Sequence, residues 1–291
     1  MKGLKIIVLA KQVPDTRNVG KDAMNANGTV NRAALPAIFN PEDLLALEQA
    51  LRVKDNHPGS TVTLMTMGPV RAANILREAL FRGADTGILI TDKKFAGSDT
   101  LATSYVLSLA LKKARPFDII FCGRQAIDGD TAQVGPQVAE KLNIPQITYV
   151  EEVLSVQSSR LMARRRLENG IETVEGPLPL LITVTGTAPK CRARNARLLM
   201  KYKHASISSE VHHKPEKYMR LLEKRPYLNL TEWNVSDLNA DDTFLGLSGS
   251  PTKVKAVTSI IFSTKEPRTF DPTDEGIKEL IQELIEHHNI G

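Results

Sequence analysis

Cysteine, aromatic residues and long apolar runs are all scarce in this chain of 291 residues. The two cysteines, Cys122 and Cys191, stand outside any C-x-x-C pair. This excludes a disulfide framework and a thiolate metal site, and it fits a reducing compartment. No apolar stretch approaches the roughly 20 residues that span a bilayer, so no membrane span is expected. The run Ile6–Ala10 is too short for a secretory core, and Lys11 follows it without a small-residue cleavage site. The expectation is a soluble, cytoplasmic protein. Aromatics make up 5% of the chain, and the basic segment Arg160–Arg225 has only Tyr202 and Tyr218, too few to stack bases. That segment carries 15 Lys or Arg against 6 Asp or Glu, leaving the rest of the chain net acidic. Docking to an acidic protein surface explains it better than nucleic acid does.

Catalytic patterns are missing as well. There is no G-x-x-x-x-G-K-[ST] phosphate loop, no Ser/His/Asp or Cys/His arrangement, and no evident general acid, base or nucleophile. No catalytic residue is therefore assigned. His212-His213 and His287-His288 sit in hydrophilic segments, and adjacent residues on a helix point apart, so both pairs read as solvated surface. Asp128 and Asp130 have no nearby His or Glu to complete a shell, so no metal is expected. One of this pair is expected to cap a helix and the other to hold a turn.

What is present is alternation. Lys5–Ala10 reads as a buried strand. Pro41-Glu42-Asp43 opens a helix to about Lys54, with proline in the first turn and acids at the positive end of the dipole. A strand at Thr61–Met67 leads through Gly68-Pro69 into a helix ending near Gly83. A strand at Thr86–Thr91 precedes a helix capped by Ser98-Asp99-Thr100 and running to about Ala114. Asp118–Cys122 is a further strand, Asp130 is expected to cap a helix over Thr131–Leu142, and Ile147–Val150 reads as a fifth strand. This spacing predicts parallel βαβ units with helices on both faces, and a ligand site beyond the carboxyl ends of the strands. After Val150, three short segments (Val153–Gln157, Leu161–Leu167 and Ile171–Val174) read as antiparallel strands, and Leu180–Thr185 as another strand. Residues 1–185 are expected to form the α/β domain. Residues 186–291, apart from a final helix from Asp274, lack an apolar repeat and are expected to be an arm packing on a partner.

The segment with the most chemistry is Gly123-Arg124-Gln125-Ala126-Ile127-Asp128-Gly129-Asp130-Thr131-Ala132-Gln133-Val134-Gly135, between a strand and a helix. Its glycines permit close backbone approach, and amides at Thr131–Val134 would form an anion site. Composition alone also allows an ordinary strand–turn–helix with an Asp cap. Asn40-Pro41 before the first helix is explained by capping alone. Lys11–Asp15, after the first strand, lacks the glycine-rich serine loop of ATP-cleaving enzymes, which favours binding a nucleotide without cleaving it.

These segments resemble the electron-transfer flavoprotein beta subunits. The 123–135 segment is similar to that family's nucleotide loop, and Val8–Asp15, Asn40-Pro41 and Met67-Gly68-Pro69 agree in order and spacing. The resemblance implies an adenine-nucleotide alpha-hydrolase-like fold and a heterodimer with an alpha subunit that holds FAD. It implies cofactor contacts at Leu9, Asn40, Pro41, Glu42, Asp43, Met67 and Gly123 through Val134. Ordinary members bind AMP there, and the electron-bifurcating branch binds a second FAD. The run Asp128-Gly129-Asp130-Thr131-Ala132-Gln133-Val134 resembles the bifurcating form, as does the helix start Gly97–Ser104. That branch implies NADH as donor, an acyl-CoA-type dehydrogenase, and ferredoxin or flavodoxin as acceptor. The family's partner-recognition loop corresponds to Cys191–His204. Ala196 departs from the usual aliphatic anchor there, leaving Leu198 or Leu199 for that role.

Overall fold

The computed structural model describes residues 3–15, 35–211, 216–252 and 268–286; both histidine pairs lie outside them. Short β1 (Lys5–Leu9), β2 (Gln12–Pro14) and β3 (Ala37–Phe39) precede α1 (Pro41–Asn56). Then β4 (Thr61–Met67) leads to α2 (Ala73–Arg82), β5 (Thr86–Ile90) to α3 (Thr100–Lys113), and β6 (Ile119–Gly123) to α4 (Val134–Leu142). Next come β7 (Gln146–Gln157), β8 (Arg160–Leu167), β9 (Gly170–Pro177) and β10 (Leu180–Val184). The remaining elements are α5 (Ala196–Tyr202), α6 (Ser208–Val211), α7 (Glu216–Lys224), β11 (Thr231–Trp233), α8 (Val235–Leu238) and α9 (Asp274–Glu286).

One nine-stranded sheet has the order β11-β5-β4-β1-β6-β10-β7-β8-β9. Every pairing from β11 to β7 is parallel, and β8 and β9 add an antiparallel extension. The strands of the parallel part are apolar on both faces, as burial under two helical layers requires. Alternation along β1 sends Ile6 and Val8 into a core with α1 and α2, and Ile7 and Leu9 into a second core with α3 and α4. The strand β6 repeats this, with Ile119 and Phe121 on the first side and Ile120 and Cys122 on the second. The expected doubly wound α/β fold with an antiparallel extension is therefore what forms.

Two expectations change. The segments Ile147–Val150 and Val153–Gln157 are a single strand, β7, which pairs with β10 in parallel and then with β8 antiparallel. Bulges absorb the change of partner, and Tyr149 adopts a positive φ of 59°. The second change concerns the segment after 185. It does not stand apart from the α/β domain: the contacts divide the chain into Met1–Lys255 and Ala256–Gly291. Tyr202, Ile207, Leu228, Leu230, Val235 and Leu245 are buried, and β11 extends the sheet beside β5. Short, irregular helices hide this apolar content from any period test. Within the second unit, α9 places Ile277, Leu280, Ile281 and Ile285 at helical spacing on one face.

Candidate functional site

The chain winds outward from β1 to β4 and β5, then returns to the other side of β1 to form β6. The crevice beyond the carboxyl ends of β1 and β6 is thus the reversal point where such sheets bind ligands. Leu9 and Met67 end β1 and β4 and pack into the core that α3 and α4 cover. The β2–β3 ribbon brings Asn40 beside Lys11, whose carbonyl accepts the Asn40 N–H at 3.0 Å.

Asn40, Glu42 and Asp43 then hold the 123–135 segment in place. Fully buried Asn40 makes no helix-cap bond. Its side chain instead donates to the Gln125 carbonyl at 2.9 Å and accepts the Ile127 N–H at 3.2 Å. Pro41 occupies the first helical position. Glu42 accepts the Gln125 N–H at 3.0 Å and pairs with the Arg124 guanidinium at 3.1 Å. Asp43 accepts the N–H groups of Lys11 and Gly123, each at 2.8 Å. Burial pushes its carboxyl up to about 7, against the pull of those two amides. A Cβ on Gly123 would lie 2.5 Å from the Asp43 carboxylate, so this glycine permits the close approach. The acids expected to serve the helix dipole therefore serve the neighbouring loop.

The loop itself departs from expectation at its helix start. The first helical residue of α4 is Val134, and Asp130 caps nothing. Asp130 has φ 48° and accepts from the Gln125 side chain at 2.9 Å, while the Ala126 carbonyl accepts the N–H groups of Gly129 and Asp130. Asp128 pairs with Lys11 at 2.7 Å. Ala132, with φ 52°, precedes right-handed Gln133, the alternation that turns successive amides into an anion-holding concavity. The amides of Thr131 to Gly135 have no acceptor among the described residues, and a Cβ on Gly129 would meet open space. This donor set fits a phosphate. Arg124 is less available than its sequence position suggests, being held by Glu42 and lying 5.9 Å from the Tyr149 ring. The helix start at 97–104 is also committed: Asp99 accepts the N–H groups of Leu101 and Ala102 at 3.0 Å each. Thr100 donates to the Gln133 side chain at 3.0 Å, the hydrogen bond that links this helix start to the loop among the described residues. Burial raises the Cys122 thiol, leaving it a packed core residue. Among the described residues no cluster suits a metal ion.

The 191–204 segment is fastened to the back of the same helix. Buried Glu48 on α1 accepts the Arg192 N–H at 3.0 Å, its Nε at 2.9 Å, and the Arg52 Nε at 3.1 Å. Arg194 pairs with Glu78 on α2 at 2.7 Å. On α5, Leu198 packs against the core and Leu199 is half-buried, whereas Met200 is 60% exposed among Arg197, Lys201 and Lys203. The sequence reading singled out the Lys11–Asp15 loop but not the Lys11 side chain, and it did not single out Glu48, Tyr149 or Met200. For Lys11 the available signal is a charged residue directly after a central strand.

A protein-family comparison matches the electron transfer flavoprotein domain to residues 27–208, more than half the chain. The chain is 42% identical to the electron transfer flavoprotein subunit beta of Clostridium acetobutylicum, covering 99% of this chain and 100% of that one. It is 37% identical to the caffeyl-CoA reductase–Etf complex subunit CarD of Acetobacterium woodii, over 96% of this chain and 92% of that one. It is 40% identical to the acryloyl-CoA reductase electron transfer subunit gamma of Anaerotignum propionicum, with coverage of 96% and 92%. On this domain match and these full-length likenesses, the chain belongs to the electron-transfer flavoprotein family, among its beta subunits.

Proposed function

We propose that this subunit binds FAD in the crevice beyond β1 and β6 and takes electrons from NADH for flavin-based bifurcation. The observation that supports the reading is the 129–135 segment: amides with no acceptor among the described residues, beside a glycine with open space at its Cβ position. The bound flavin would supply the hydride and electron chemistry. The chain's own residues would seat the phosphates on the amides of 131–135 and hold the turn rigid through Asn40, Glu42 and Asp43.

The alpha subunit would cover the apolar face of α9. An acyl-CoA-type dehydrogenase is the proposed redox partner, in keeping with relatives named for caffeyl-CoA and acryloyl-CoA reductases. Ferredoxin or flavodoxin would be the low-potential acceptor. Met200 on α5 takes the anchor role expected of Leu198 or Leu199, because it is the large apolar side chain that this helix leaves in solvent. The reading places the protein in the cytoplasm; no helix among the described residues is long and apolar enough to cross a membrane.

The second reading is AMP in the same crevice, with single-electron shuttling from FAD in the alpha subunit. The phosphate-sized amide set favours it as far as one phosphate goes. Denaturing the purified heterodimer and quantifying released nucleotides separates the two. Two FAD and no AMP support bifurcation, and anaerobic NADH should then bleach the flavin. One FAD with one AMP makes the subunit a simple shuttle.

A further inference from the structure

The crevice has an electrostatic tension that nucleotide binding must resolve. The loop and the residues that hold it bring together the acids Glu42, Asp43, Asp128 and Asp130 and the cations Lys11 and Arg124. Both cations are already paired. Arg124 pairs with Glu42 at 3.1 Å and lies 5.9 Å from the Tyr149 ring, with its Nε buried and without a partner among the described residues. Lys11 is different. Its backbone is fixed, the N–H on Asp43 and the carbonyl on Asn40, but its side chain is half exposed. The ammonium touches both oxygens of Asp128, at 2.7 and 2.8 Å. An ammonium on a four-carbon stem can turn between acceptors that a fixed guanidinium cannot exchange.

We propose that Lys11 reads the phosphate of the bound nucleotide, and that Asp128 competes with that phosphate for the ammonium. This rests on the nucleotide reading above. Asp128 lies just ahead of the open amides of 131–135 in the same turn. A phosphate seated on those amides would share its turn with the acids Asp128 and Asp130. Transferring the Lys11 ammonium from Asp128 to the phosphate supplies a positive charge there and releases Asp128 towards solvent. The pair therefore sets a threshold. A ligand must carry anionic oxygens to open it, so an adenine nucleoside without phosphate gains nothing from Lys11.

The test uses the heterodimer stripped of exchangeable nucleotide and titrated calorimetrically with AMP and with adenosine. If the wild-type complex binds neither AMP nor FAD, the nucleotide reading itself fails. Given binding, Lys11→Gln should weaken AMP about ten-fold and flatten its salt dependence, because one charge-assisted bond is lost. Asp128→Asn should strengthen AMP several-fold, because the competitor is removed. Adenosine affinity should stay the same in both variants. If Asp128→Asn weakens AMP as much as Lys11→Gln does, the pair is a clasp that shapes the loop, and the exchange is overturned. A parallel loss of adenosine binding in either variant overturns it equally.

Discussion

The centre of the sheet and its antiparallel edge use the same residue types in opposite ways. Around β1 and β6, acids are buried and reach far along the chain: Asp43 bonds Gly123, 80 residues away, and Glu48 bonds Arg192, 144 residues away. On the antiparallel extension, arginines and glutamates pair across neighbouring strands at the surface, as Arg160 does with Glu175 and Arg165 with Glu172. The difference teaches that burial and donor count, rather than charge, decide what a carboxylate contributes. A buried carboxylate that holds amides cannot be removed without leaving them unsatisfied, whereas an exposed ion pair is replaced by water.

The contrast can be tested by substitution. Asp43→Ala should cost the most, about 2–5 kcal/mol, because two buried N–H groups lose their acceptor. Denaturant unfolding of the heterodimer measures it, and the retained nucleotide should fall with it. A loss below about 1 kcal/mol would collapse the contrast between the two regions.

Glu48→Ala comes next, at roughly 2–3 kcal/mol, since it strands Arg192 and Arg52. If the 191–204 segment docks the proposed dehydrogenase, the variant's signature is a raised KM for that partner with unchanged flavin content, measured by steady-state electron transfer.

Asp43 and Glu48 should also titrate in opposite directions. Burial raises the Asp43 pKa to about 7, so its contribution is full below the ordinary carboxylate pKa of about 4 and is lost as pH rises through 7. Burial opposes ionisation at Glu48 too, but Arg192 and Arg52 outweigh it and hold that carboxyl low. Its contribution is present above the ordinary value and lost as pH falls through its depressed pKa. Thermal melts between pH 4 and 8 should show wild type losing stability relative to Asp43→Asn as pH rises. The reverse slope would mean that the two amides keep Asp43 ionised. The smallest effect belongs to the extension, where Arg160→Ala should change stability by less than about 0.5 kcal/mol in the same unfolding experiment.

Much of this architecture was legible in advance. Strand–helix alternation, the capping aspartate at 99, the glycine after α2 and the hairpin turn at 168–170 are signals confined to a few residues. Local sterics and periodicity produce them, so they can be read locally. The 123–135 segment stood out for the same reason. The roles of Asn40 and Asp43 were not legible, because capping and dipole explanations satisfied the local pattern equally well. The start of α4 was misplaced because Asp130 and Asp99 look alike as caps, and only the left-handed backbone at 130 and 132 separates them.

By itself, then, the sequence determined a parallel α/β chain with a polar, glycine-containing loop between a strand and a helix. Only the tertiary structure decided that β6 returns beside β1. That adjacency sets the loop against Asn40, Glu42, Asp43 and Lys11, and partners so distant in the chain are chosen by sheet order, which no local window of residues encodes.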